Sequence, residues 1–284
     1  MAPKKILVCG FPHCGTTILK NKIGDCDNCE EYIDEVSEAT IMTAVAETAN
    51  SKSEYVVYKS PFLMGGLEHP EIFNSHPLND FKIVIILRNP LQVYSSLLRR
   101  FNGMEFTYIN KPATADEMMR FIRTDGVNNT YLPTRNDLRD FEIICKAFES
   151  YKQLSNGSVF CIRYEDLFTD DHMHLKTLLD NLGLRYDDSL FSSRKRDYQL
   201  FKDTKYENVQ EKPTLETVKA NISHDVGDRI DYNKHLRTWQ INQPFENTDT
   251  LEKIELPESW ANEILNSEIC NRLWSNEFGA YKNR

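Results

Sequence analysis

Four short runs of mostly apolar residues recur along the chain, at positions 5–9, 55–58, 82–87 and 159–163. Each run is continuous rather than alternating and contains many β-branched residues. This pattern is typical of strands that are buried on both faces of a parallel sheet. The sequence therefore predicts four parallel strands.

Stretches with helical spacing of apolar residues lie between and after these runs. They predict helices at residues 16–24, 38–49, 90–101, 137–154 and 257–278. Alternating strands and helices predict an α/β fold, in which helices cover both faces of one parallel sheet. Ligands of such sheets bind beyond the carboxyl ends of the strands, so the residues that follow each strand are the candidates for function.

Two polar stretches, at 102–136 and 192–250, contain helix breakers and only weak periodicity. We expect both to be excursions from the sheet that shape a substrate pocket, the first as a lid. No internal repeat, low-complexity tract or linker divides the chain. Residues 1–284 are therefore predicted to form a single domain.

Composition and charge narrow the class of partner. A net charge of −9 argues against nucleic-acid binding, although it leaves room for a local basic pocket. The first apolar run is too short for a signal peptide, and no run reaches the 18 residues or so that a membrane span needs. The seven cysteines form no metal-binding pattern, and a redox role for the close pair Cys26 and Cys29 is the alternative to plain reduced thiols. We expect a cytoplasmic protein without a metal.

A glycine-rich loop follows the first predicted strand and opens a helix, with the sequence Gly10-Phe-Pro-His-Cys-Gly15-Thr16-Thr17. Such a loop can surround a phosphate with backbone N–H groups at the positive end of a helix. Its spacing matches the Walker A pattern, except that Thr16 stands where that pattern requires Lys. The missing Lys disfavours a nucleotide kinase or NTPase, which remains an alternative.

A second motif follows the third predicted strand. Arg88 stands at the carboxyl end of that strand, where a guanidinium can bind a phosphate in a bidentate way. Asn89 and Pro90 can then start a helix. Ser96 lies two turns along this helix, and Arg100 lies four residues beyond Ser96 on the same face.

Together the two motifs resemble those of sulfotransferases that use 3′-phosphoadenosine-5′-phosphosulfate (PAPS). The loop resembles the family's 5′-phosphosulfate loop, (Y/V)-P-(K/R)-S-G-T-T, and the second motif resembles its 3′-phosphate motif, in which Ser follows Arg by eight positions. The resemblance implies a P-loop-like fold and a 5′-phosphosulfate site made by His13, Cys14, Gly15, Thr16 and Thr17. It implies a 3′-phosphate site made by Arg88, Ser96 and, as in the tyrosylprotein branch, Arg100.

The loop departs from the family pattern at two positions. Cys14 replaces the usual Ser, which is a mild change. His13 replaces the usual Lys or Arg that faces the bridging and sulfate oxygens. Because a free imidazole titrates near pH 6.5, the charge at this position is open.

Two weaker matches add candidates. The segment Arg163-Tyr-Glu-Asp-Leu167 resembles the family's R-Y-E-D-L, which implies a nucleotide contact for Tyr164; the alternative is a core tyrosine. The segment that contains Lys59 resembles one in which a Lys approaches the sulfate, and the alternative is a surface charge.

The resemblance also implies a general base for the acceptor. Cytosolic small-molecule branches use a His where this chain has Pro61, whereas tyrosylprotein and several carbohydrate branches use a Glu about twenty residues after the loop. Glu35 is the first choice for this role, Glu38 the second and His13 the third. Alternatively, the acidic residues of 27–38 form a solvated face.

These observations predict transfer of a sulfuryl group from PAPS to a hydroxyl or amine acceptor, with release of 3′-phosphoadenosine-5′-phosphate (PAP). The acceptor could be a small molecule, a glycan or a peptide. Positioned cations can serve such a reaction without a metal. Besides the kinase or NTPase, the remaining alternative is a non-catalytic nucleotide-binding protein that His13 has disabled.

Overall fold

The computed structural model describes residues 2–105, 137–154, 157–192, 194–199, 211–212, 235–247, 254 and 256–283. In these residues the strands are β1 (Lys4–Gly10), β2 (Cys29–Glu35), β3 (Tyr55–Lys59), β4 (Phe81–Leu87) and β5 (Val159–Arg163). They form one parallel sheet in the order β2-β3-β1-β4-β5. The predicted α/β class is confirmed, and so are the four predicted strands. Most of the two predicted excursions lies outside the described residues.

The helices surround the sheet. They are α1 (Thr16–Gly24), α2 (Ile41–Glu47), α3 (Pro90–Glu105), α4 (Asp137–Leu154), α5 (Met173–Leu182), α6 (Ser189–Ser192), α7 (Glu258–Asn266), α8 (Glu268–Leu273) and α9 (Ser275–Lys282). Residues 235–241 are also helical. The predicted helices at 16–24 and 137–154 are confirmed. The predicted helix at 257–278 is instead three helices, because the backbone leaves the helical conformation at Ser267 and Trp274.

Strand β2 was not predicted. Its sequence, Cys-Glu-Glu-Tyr-Ile-Asp-Glu, has neither a continuous apolar run nor a clean alternation. It lies at the edge of the sheet, where one side needs no strand partner. Glu31 is nevertheless buried. Its carboxylate forms ion pairs with Lys20 of α1 and with Arg196, each with an N–O distance of 3.1 Å. The acidic run is therefore not simply a solvated face.

Each face of the sheet packs into its own apolar cluster, as the continuous apolar runs predict. On β1, Leu7 and Cys9 face one cluster, which includes residues of α4 and of the C-terminal helices. Ile6 and Val8 face the other, which includes residues of α1 and α5. All four side chains are fully buried, which is the expected position of a central parallel strand.

Gly183 allows a stability test of this packing. It ends α5 with a φ of 75°, and an added Cβ would lie 2.6 Å from the Tyr55 hydroxyl oxygen. We expect Gly183→Ala to lower the free energy of unfolding by about 1–3 kcal/mol, because a left-handed residue with a Cβ is strained. The matched control is Gly279→Ala in α9, where a Cβ meets nothing within 4 Å and should stabilise by up to about 1 kcal/mol. Urea unfolding of both variants measures the change in the free energy of unfolding. Equal changes in the two variants would contradict the strained position assigned to Gly183.

Candidate active site

Several predicted site residues lie at one edge of the sheet. Because all strands are parallel, their carboxyl ends meet there. Glu35 ends β2, Lys59 ends β3, and the loop at 10–17 follows β1. Arg88 follows β4, and Tyr164 follows β5. Each strand therefore contributes one element to the same edge.

The glycine loop connects β1 to the first turn of α1. Gly15 precedes this helix with a φ of 95°, which a residue with a side chain rarely adopts. An added Cβ would also lie 2.4 Å from Cδ2 of Tyr164. Glycine is required here on both grounds, and its small size lets the backbone at the positive helix end remain close to the strand edge.

Lys59 occupies the centre of a buried ion-pair group. It is only 1% exposed, so the alternative that it is a surface charge is wrong. Its ammonium donates to Thr17 Oγ1 at 2.9 Å and forms an ion pair with Glu35. Arg237, from the helical residues 235–241, contacts the same carboxylate oxygen with Nη2 at 3.1 Å. The proposed base thus contacts two cations through one carboxylate oxygen.

Burial lowers the pKa of Lys59 to about 7, since a charged ammonium is costly to keep out of water. The Glu35 carboxylate opposes this shift, while the positive charges of Arg237 and Lys20 add to it. A bound anion would favour the ammonium.

Arg88 joins the two motifs. Its guanidinium carbon lies 4.4 Å from the centroid of the Tyr164 ring, and Nη1 donates to the His13 carbonyl oxygen at 3.1 Å. The His13 side chain in turn contacts Ser96, with 2.9 Å between Nδ1 and Oγ. The second motif therefore packs directly against the loop, and the side chain of Tyr164 supports Arg88.

Comparison with known proteins identifies the family. The family model of the sulfotransferase domain matches residues 3–246, which is most of the chain. The chain belongs to the sulfotransferase family. No curated protein sequence matches it.

Several solved structures are similar to this chain. The mouse sulfotransferase SULT7A1 complexed with PAP is 18% identical, with a TM-score of 0.42, over 66% of this chain and 60% of that chain. The sulfotransferase domain from the curacin biosynthetic pathway is 16% identical, with a TM-score of 0.44, over 96% of both chains. The sulfotransferase from Alicyclobacillus acidocaldarius is 15% identical, with a TM-score of 0.39, over 84% of this chain and 99% of that chain.

Cys14, the Ser replacement in the loop of this sulfotransferase, is fully buried. Burial raises the pKa of its thiol to about 12, and the nearby Arg88 opposes the shift. At neutral pH the group is a neutral thiol and not a nucleophile. Thr16, at the position of the Walker A lysine, is also buried.

Of the predicted residues, Glu38 is not brought into this group, and Arg237 was not predicted. Glu38 is exposed and accepts the backbone N–H of Gly65 at 2.5 Å. Arg100 lies on α3, but its side chain is outside the described residues. Arg237 was missed because it lies in a stretch without a recognisable motif, and only its charge could have suggested it.

Within the described ranges, no group of three or more His, Cys, Asp and Glu side chains could hold a metal ion. In that same part of the chain, no helix has the length and apolar character needed to cross a membrane.

The low pKa of Lys59 has a consequence for stability. Between a folded-state pKa of about 7 and an unfolded value of 10.5, the unfolded chain binds more protons, so stability rises with pH. We expect the stability of the wild type relative to Lys59→Met to grow between pH 7 and pH 9.5, by at most about 1.4 kcal/mol per pH unit. Chemical unfolding at several pH values measures this difference. The stability difference between the wild type and Lys4→Met, at an exposed position, should not change with pH. A difference that does not change with pH for Lys59→Met would contradict the lowered pKa of Lys59.

Proposed function

We propose that this sulfotransferase moves a sulfuryl group from PAPS to a hydroxyl or amine acceptor and releases PAP. The observation that carries the proposal is the arrangement of charges along one sheet edge. The Lys59–Glu35 pair lies at the end of β3, and Arg88 lies at the end of β4. β1 and its glycine loop lie between these two strands, whose axes are two strand spacings, about 10 Å, apart. A nucleotide with anions at both ends suits two cations on either side of a phosphate-binding loop.

The residues present fit such a nucleotide. Gly15, whose missing Cβ lets the Tyr164 ring pack against the loop, precedes the first turn of α1, where backbone N–H groups can bind the 5′-phosphosulfate. Thr17, already hydrogen-bonded to Lys59, would hold the same group. Arg88 and Ser96 would hold the 3′-phosphate, and Arg100 is proposed for it on the resemblance alone.

The proposed chemistry needs one proton acceptor and one cation. Bound PAPS would supply a sulfuryl group, whose bond to the bridging oxygen breaks as the acceptor oxygen or nitrogen bonds to sulfur. Glu35 would take the proton that the acceptor loses. Lys59 would stabilise the negative charge that develops on the leaving phosphate oxygen. Arg237, which contacts the same carboxylate oxygen, would help to orient Glu35.

The two alternatives are separable. Membership of the sulfotransferase family and the buried Thr16 at the lysine position both argue against a nucleotide kinase or NTPase. A non-catalytic nucleotide-binding protein would bind PAP but would not turn over PAPS. Release of PAP from PAPS in the presence of a panel of phenol, sugar, amine and tyrosyl-peptide acceptors therefore tests the proposal itself.

PAP should stabilise the protein more than ATP does. At about 100 times its Kd, PAP should raise the free energy of unfolding by about 2.7 kcal/mol, because the unfolded chain cannot bind it. ATP has no 3′-phosphate for Arg88 to bind, so at the same concentration it should give a smaller shift. Thermal denaturation with each ligand measures this. Equal shifts for ATP and PAP would contradict a 3′-phosphate site.

Glu35→Gln should separate binding from catalysis. The amide keeps the shape of the side chain but accepts no proton, so turnover should fall by about 10²–10⁴ while PAP affinity is retained. The matched control is Glu38→Gln, since Glu38 is exposed and bonded to Gly65, and it should retain activity. PAPS turnover and PAP titration measure both properties. Full activity in Glu35→Gln would transfer the role of base to Glu38 or His13.

A further inference from the structure

Glu165 follows Tyr164 directly at the end of β5 and has no role in the site described so far. Its Oε1 accepts the backbone N–H of Asn89 at 2.7 Å. Its other oxygen, Oε2, is buried and has no hydrogen-bond partner among the described residues. A carboxylate from β5 therefore holds the start of α3, which carries the second motif.

The hydrogen bond lies one residue from Arg88. The side chain of Asn89 also accepts the Leu91 N–H at 3.0 Å through Oδ1. This bond and the one to Glu165 hold Asn89 at the start of α3. The side chain of Arg88 rests on the ring of Tyr164, the residue before Glu165. The end of β5 thus supports Arg88 twice, through its side chain and through the peptide that follows it.

The surrounding charges are consistent with a structural carboxylate. Burial raises the pKa of Glu165, and the Asn89 N–H and the charges of Arg163 and Arg88 oppose the shift. Arg163 is itself bound by Asp166, with Nη2 to Oδ1 at 2.9 Å and Nε to Oδ2 at 3.2 Å. A negative charge near a phosphate site would repel a phosphate, so the useful part of Glu165 is its acceptor oxygen.

We propose that Glu165 is a positioning residue that sets the preference of this protein for a 3′-phosphorylated nucleotide. It acts through the N–H of Asn89 and fixes the start of α3, so that Arg88 and Ser96 face one phosphate. This inference rests on the proposed function, because it assumes that Arg88 and Ser96 form the 3′-phosphate site.

Two substitutions separate the hydrogen bond from the charge. Glu165→Gln keeps an acceptor oxygen at the same reach and loses the charge. Glu165→Asp keeps the charge but is one methylene shorter, so its oxygen should not reach Asn89. Glu165→Leu fills the same space with no acceptor and replaces the Asp variant if that variant does not fold. Asp166→Asn is the matched control, because Asp166 bonds to Arg163 in the same segment.

The measurement is the ratio of the Kd for AMP to the Kd for PAP, since AMP lacks the 3′-phosphate. We expect Glu165→Gln and Asp166→Asn to keep the wild-type ratio within about threefold. In Glu165→Asp and Glu165→Leu this ratio should fall by about tenfold or more. That is the effect of losing a charge-assisted hydrogen bond between Arg88 and the 3′-phosphate. AMP affinity should change little, whereas a general structural defect would weaken both ligands equally.

The outcomes that overturn the inference are distinct from failure of the proposed function. If Glu165→Asp or Glu165→Leu keeps the ratio, or if Glu165→Gln loses it, Glu165 is not the positioning residue proposed. If the wild type binds AMP as tightly as PAP, the 3′-phosphate site is wrong, and the inference is overturned with it. A wild type that prefers PAP, with all variants equal to it, overturns the inference alone.

Discussion

The parallel pairing of β1 with β3 and β4 is the constraint on which the candidate site depends. Val8 lies opposite Lys59, and Gly10 lies opposite Ile86, two positions before Arg88. A shift of either register by one residue would turn the side chains of a strand to the opposite face of the sheet. Lys59 would then leave Glu35 and Thr17. Because apolar clusters cover both faces, the burial of alternate residues such as Leu7 and Val8 strongly opposes such a shift.

The buried charges beside this edge are tolerated because they occur in pairs. Lys59 pairs with Glu35, and Lys20 pairs with Glu31, with Nζ to Oε1 at 3.1 Å. Charges removed from water are costly, and removing one partner would leave the other uncompensated. Further cations reach the same carboxylates from later parts of the chain, among them Arg237. A protein with a net charge of −9 can therefore still place cations at this edge, among them Lys59, Arg88 and Arg237.

The departure at His13 has a structural counterpart. Where the family pattern has a Lys or Arg, the imidazole of His13 contacts Ser96, and the His13 carbonyl accepts from Arg88. His13 therefore links the two motifs. Among the described residues, Lys59 and Arg237 contact the proposed base, and in the proposed mechanism Lys59 of β3 supplies the charge that the missing Lys or Arg would give. The other departure, Cys14, places a neutral buried thiol in the loop.

By itself the sequence determined what depends on neighbours along the chain. Continuous apolar runs were enough for four of the five strands, and motif spacing was enough to select the glycine loop, Arg88 and Ser96. Only the tertiary structure decided that the polar residues Cys29–Glu35 form an edge strand and that Arg237 meets Glu35. The physical reason is the separation of the partners: Lys59 and Arg237 lie 24 and 202 positions from Glu35. A local pattern carries no information on such pairs, and only the folded chain brings these charges within contact.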